Sequence, residues 1–113
     1  MRLINESISI DELKIMSERM FGNMVKGVVD IEKGLLSLDA EMHADLEAFF
    51  LENGSSQNNL WGINLYPDNS KEDFIEFDSM INIKPSQGNR SRGVEDESIR
   101  IRILQIVEKK VSR

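Results

Sequence analysis

Ile10, Leu13, Met16 and Met20 recur at three- and four-residue steps, the spacing that lays one apolar stripe along a helix. Ser9 just ahead of them and Glu12 three residues on have the form of a capping box. Ile8 is placed to staple against Leu13, and Gly22 ends the run. The preceding "RLIN" reads as a short strand. "NMVKGVVDIEKGLLSLDAEMH" reads as a hairpin, with Val25, Val28, Val29 and Ile31 followed by the turn signal "EKG" and a second apolar run from Leu35. From Leu36 to Ala44 apolar and polar positions alternate strictly, which predicts a long second strand with Ser37, Asp39, Glu41 and His43 on one face. Helical spacing runs from Met42 through Leu46, Phe49 and Phe50 to a stop at Asn53 and Gly54, so the switch from strand to helix is set near Ala44.

After the polar "SSQNN", "LWGINLYP" resumes a strand, "PDNSKED" is turn chemistry, and "FIEFDSMINIKP" is the predicted partner strand, ended by Pro85. Alternation would send Ile75, Phe77, Ile81 and Ile83 inward and leave Glu76, Asp78, Asn82 and Lys84 outward, extending with Asn64 and Tyr66 a polar face left to water. A last helix begins near Asp96 and buries Ile99, Ile103, Ile106, Val107 and Val111, with Lys109, Lys110 and Arg113 at its negative end. The order strand, helix, hairpin, helix, hairpin, helix predicts an α+β fold. An antiparallel sheet of two hairpins and a short N-terminal strand would carry three helices packed mainly on one face, as one domain over residues 1–113.

Charge divides this picture unevenly. Residues 1–83 hold 6 basic and 16 acidic side chains, whereas 84–113 hold 8 basic and 4 acidic. An acidic whole disfavours nucleic acid, whose binding rests on phosphate neutralisation, while the basic end can hold an anion or pair with the acidic part of its own chain. The chain has no cysteine, which removes disulfides, thiolate metal sites and thiol nucleophiles and suits a reducing cytoplasm, where we place the protein. The N-terminal segment lacks the apolar run of a signal peptide, no stretch is long enough to cross a membrane as a helix, and neither a cofactor nor an oligomeric state is signalled.

Two places carry candidate chemistry. The loop "SQGNRSRG" offers glycines for unusual backbone angles, amides at Gln87 and Asn89, and the forked donors of Arg90 and Arg92 shortly before a helix N-terminus, each suited to an oxyanion. It lacks the Gly-Lys-Ser/Thr ending of a Walker loop and the glycine pattern of a dinucleotide fingerprint. His43, the sole histidine, would stand with Asp39 and Glu41 on the long strand as a base oriented by carboxylates. No metal set is complete: zinc's usual sulfur and multiple-histidine donors are missing, and no Gly-x-Ser-x-Gly elbow supports a serine triad. The leading expectation is a binding or regulatory domain that recognises an anionic small molecule or an acidic protein partner through residues 86–93, with Asn64 and Asn82 on the polar face contributing. The alternative is an enzyme using His43 with Asp39 or Glu41, with or without a divalent cation.

"EMHADLEAFFLENGS", "LWGINLYP" and "INIKPSQGNRSRGVED", in this order and spacing, resemble a family of small uncharacterised prokaryotic proteins known only as a domain of unknown function. The resemblance covers nearly the whole chain. It implies one small domain and carries no activity or site residue with it.

Overall fold

The computed structural model describes residues 1–113. Ten elements follow one another: β1 (Arg2–Ile4), β2 (Ile8–Ser9), α1 (Ile10–Arg19), β3 (Val25–Asp30), β4 (Leu35–Leu38), α2 (His43–Glu52), β5 (Leu60–Leu65), β6 (Ile75–Glu76), α3 (Glu97–Lys110) and β7 (Val111–Ser112). Single 3₁₀ turns at Gln57–Asn59, Lys71–Asp73, Met80–Asn82 and Pro85–Gln87 punctuate the loops. Five strands form an antiparallel sheet in the order β1-β4-β3-β5-β6, and β2 pairs with β7 in a separate parallel ribbon. The α+β class and the antiparallel sheet are those expected from the pattern of the chain.

Local signals set the helix ends. Ser9 Oγ accepts from the Glu12 N–H at 3.1 Å while the Glu12 carboxylate accepts from the Ser9 N–H, so the capping box is closed. Asp96 does the same service for α3, accepting from the N–H groups of Ser98 and Ile99. Asp30, buried at the end of β3, accepts from the N–H groups of Glu32 and Lys33 and from Ser55 Oγ, which holds the predicted "EKG" turn.

Register divides the sheet into two faces. Val25 and Val29 on β3 share one face with Leu36 and Leu38 of β4 and with Trp61, Ile63 and Leu65 of β5, and α1 and α3 cover it with Leu13, Met16, Ile103, Ile106 and Val107. Burying such side chains contributes roughly 1.5–3 kcal/mol each. Val28 and Leu60 point the other way and pack with Leu46 and Phe50 of α2. The second face is therefore closed by α2 and the segment after β6, and the open polar surface expected there is absent.

Two predicted strands are much shorter than alternation suggested. β4 ends at Leu38 because Asp39 takes a left-handed backbone, φ 70°, which an extended strand does not accommodate. The chain then crosses to the second face, where Ala40 packs with α2, and α2 begins at His43. β6 likewise ends at Glu76 and gives way to the 3₁₀ turn at Met80–Asn82. Asn64, Asn82 and Lys84, expected to face water, are buried, and Ile83, expected inward, is exposed. Val111 is buried as expected but lies in β7, one residue past α3.

Candidate functional site

The separation of Asp39 and Glu41 from His43 follows directly from where β4 stops. With α2 starting at His43, Asp39 and Glu41 line a different concavity, beside Met1, Met20, Asp45 and Phe49. No three of the histidine, aspartate and glutamate side chains gather as metal ligands.

His43 itself turns inward against β5. Its Nε2 lies 2.8 Å from the Ile63 carbonyl oxygen, and a carbonyl can only accept, so Nε2 carries the proton and donates. Nδ1 then holds the lone pair of the neutral ring. Burial holds the histidine pKa below its ordinary value, helped by nearby Lys26. The Ile63 carbonyl, the Asn64 side chain beside the ring and the Asp78 charge pull the other way.

The ring packs this closely because position 62 is glycine. A Cβ there would lie 2.5 Å from both Cβ and Oγ of Ser79 and 3.2 Å from His43 Cδ2. Ser79 and His43 thus meet over the Gly62 backbone, and the imidazole turns a carbon edge toward it. With a ring carbon at this contact and Ser79 Oγ accepting from the Ile81 N–H rather than bonding the imidazole, the two side chains do not form a serine–histidine dyad.

The basic loop is built mainly by its own amides. Asn89 Nδ2 donates to the carbonyls of Asn82, Ser91 and Gly93, and its Oδ1 accepts from the Glu95 N–H at 2.8 Å. Its backbone exchanges two hydrogen bonds with Lys84. Gln87 reaches back to the Asn58 carbonyl. The backbone donors that an anion would use are already taken, because the Glu95 carboxylate accepts from the N–H groups of Arg90 at 2.7 Å and Ser91 at 3.0 Å. Those two bonds hold the Glu95 pKa below its ordinary value. The loop therefore encloses a carboxylate of its own chain.

Lys84 is buried without a carboxylate, its Nζ donating to the carbonyls of Gln57 and Ile81 at 3.0 Å each and lying 5.1 Å from the centre of the Trp61 ring. Burial lowers its pKa against the opposing pull of Glu47. Asn82 is equally committed, to Gly62 and the Arg92 carbonyl. Asn64 donates to Glu76 and Asp78, and its Oδ1 is buried with no partner.

A cleft of about 170 Å³ opens between the start of α2 and the segment after β6, lined by Lys26, Met42, His43, Ala44, Ser79, Met80, Ile81 and Arg92. It joins residues from both stretches singled out in the sequence, His43 and Arg92, and omits Arg90, Gln87 and the buried asparagines. Arg92 is oriented by Asp78, whose Oδ1 accepts from Nε at 2.6 Å. The two terminal guanidinium nitrogens have no protein partner. Lys26 makes no ion pair and lies 5.3 Å from the centre of the Phe21 ring. α2 adds its N-terminal backbone, where Met42 provides no side-chain cap.

Lys26 and Ser79 are the members that sequence reasoning missed. Lys26 carried a signal, being the lone cation in the apolar run "VKGVV". Ser79 carried none, since its place depends on the absence of a side chain at position 62.

Residues 2–110 match a family model described as protein of unknown function (DUF5674). No curated protein and no solved structure matches the chain.

Proposed function

We propose that this chain, which belongs to the DUF5674 family, is a small cytoplasmic binding domain for an anionic small molecule, held in the cleft between α2 and the segment after β6. The observation that carries this reading is the convergence of two cationic side chains, Lys26 and Arg92, on one concave volume that also exposes the uncapped start of α2. Cations and free N–H groups facing a partly desolvated space are what an oxyanion requires. Glu95 occupies two backbone donors of the 86–93 loop, the N–H groups of Arg90 and Ser91. The loop's share in recognition therefore comes down to Arg92, with Arg90 facing solvent. The lack of cysteine and of any helix long and apolar enough to cross a membrane suits a cytoplasmic location.

Titration calorimetry with phosphate, nucleotides and small carboxylates in low salt tests the proposal. Binding should weaken at least tenfold in Lys26→Ala and in Arg92→Ala and stay unchanged in Arg90→Ala. If none of these anions binds, or if Arg90→Ala is the variant that loses binding, the reading is wrong.

A further inference from the structure

The cationic cleft has an apolar mouth. Met42 and Met80 are 59% and 65% exposed, and both line it together with Ile81. A single exposed apolar side chain is ordinary on a protein surface. Here two come from separate elements, the N-cap of α2 and the first residue of a 3₁₀ turn, and stand at the same opening. Methionine is flexible and polarisable, so such a rim adapts to an apolar group without a fixed shape.

Charge and geometry narrow the head group. Lys26 and Arg92 bring two positive charges and Asp78, paired to Arg92, removes one. His43 contributes none while its ring is neutral. One net positive charge balances a monoanion better than a phosphoryl dianion. With Nε held by Asp78, Arg92 presents its two terminal nitrogens as a fork, the arrangement that matches the two oxygens of a carboxylate. A volume of about 170 Å³ also falls below the roughly 300 Å³ at which pockets for drug-sized molecules begin.

We infer that the ligand is a small monocarboxylate with an apolar substituent, its carboxylate between Arg92 and Lys26 and its apolar part against Met42, Met80 and Ile81. This rests on the anion-binding reading above and adds the ligand class to it.

An NMR titration in low salt with acetate, butyrate, hexanoate and inorganic phosphate reads the weak affinities involved. Affinity should rise along the acetate, butyrate, hexanoate series by up to roughly fourfold per methylene, the factor for one buried CH₂, and hexanoate should bind more tightly than phosphate. The double variant Met42→Gln/Met80→Gln, altered at two exposed positions, should flatten that series. A flat series in the unaltered protein, or phosphate binding more tightly than hexanoate, overturns the ligand class while anion binding in the cleft stands. Absence of binding by all four probes overturns both.

Discussion

The side-chain amide of Asn82 pairs with both backbone groups of Gly62, accepting from its N–H at 2.7 Å and donating to its carbonyl at 2.9 Å. A residue of a neighbouring strand would make the same exchange. β6 pairs with β5 only at Asn64 and Leu65, so Gly62 lies beyond its reach, and one side chain takes over as the sheet's next partner. The second amide hydrogen of Asn82 goes to the Arg92 carbonyl, which ties the 79–82 turn to the loop that carries Arg92.

Replacing Asn82 with alanine should leave the Gly62 N–H and C=O buried and unpaired and cost about 2–4 kcal/mol, the usual penalty for more than one such group. Asn82→Asp keeps the acceptor, loses both donated bonds and buries a charge, so it should be at least as damaging. Urea denaturation of the two variants measures this, and a near-neutral Asn82→Ala would contradict the role assigned to the pair.

Within the basic loop, stability and recognition should separate by residue. Arg90 is exposed and the Arg92–Asp78 pair is largely solvated, so Arg90→Ala and Arg92→Ala should each change stability by less than about 1 kcal/mol. Asn89→Ala removes one acceptor and the two amide hydrogens shared among three carbonyls around a buried amide and should cost several times as much. Denaturation midpoints of the three variants decide it, and equal losses for Asn89 and the arginines would refute the division.

The lowered pKa of His43 sets a pH dependence of definite sign. Between the ordinary histidine value of about 6.5 and the lower folded value, the unfolded chain binds the proton and the folded chain does not. The contribution of His43 to stability is therefore complete above that window and is lost as pH falls through it. His43→Gln should remove this component, so the stability difference between the two proteins should shift against the unaltered chain on going from about pH 7.5 to about pH 5.5. A difference that stays constant with pH would contradict the burial of a neutral ring.

Where the determinants of structure were local, the sequence disclosed them. Ser9 with Glu12 and Asp96 with Ser98 act across two or three residues, and both helix starts were legible from residue type alone. The misread segments depended on distant partners. The alternation from Leu36 to Ala44 is genuine, yet Asp39 turns the chain and α2 captures its second half. Asn82 and Lys84 looked solvent-facing because their partners, Gly62, Gln57 and Trp61, lie 20 or more residues away. The candidate cleft was half legible for the same reason. The residue types of His43 and Arg92 drew attention, whereas their meeting with Lys26 and Ser79 depends on the fold of β5 around a missing side chain.

The parallel pairing of β2 with β7 joins Ile8 to Val111 and Ser9 to Ser112, and Lys110 Nζ donates to the Asn5 carbonyl at 2.9 Å. These contacts span nearly the whole chain, and α3 just before them supplies Ile103, Ile106 and Val107 to the main core. During synthesis the sheet from β1 to β6 is complete in sequence while one of its faces still lacks α3. That face stays only half covered, by α1, until residues near 111 have left the ribosome, so the chain closes late, and the interval before closure is when its apolar surface most needs protection from other nascent chains.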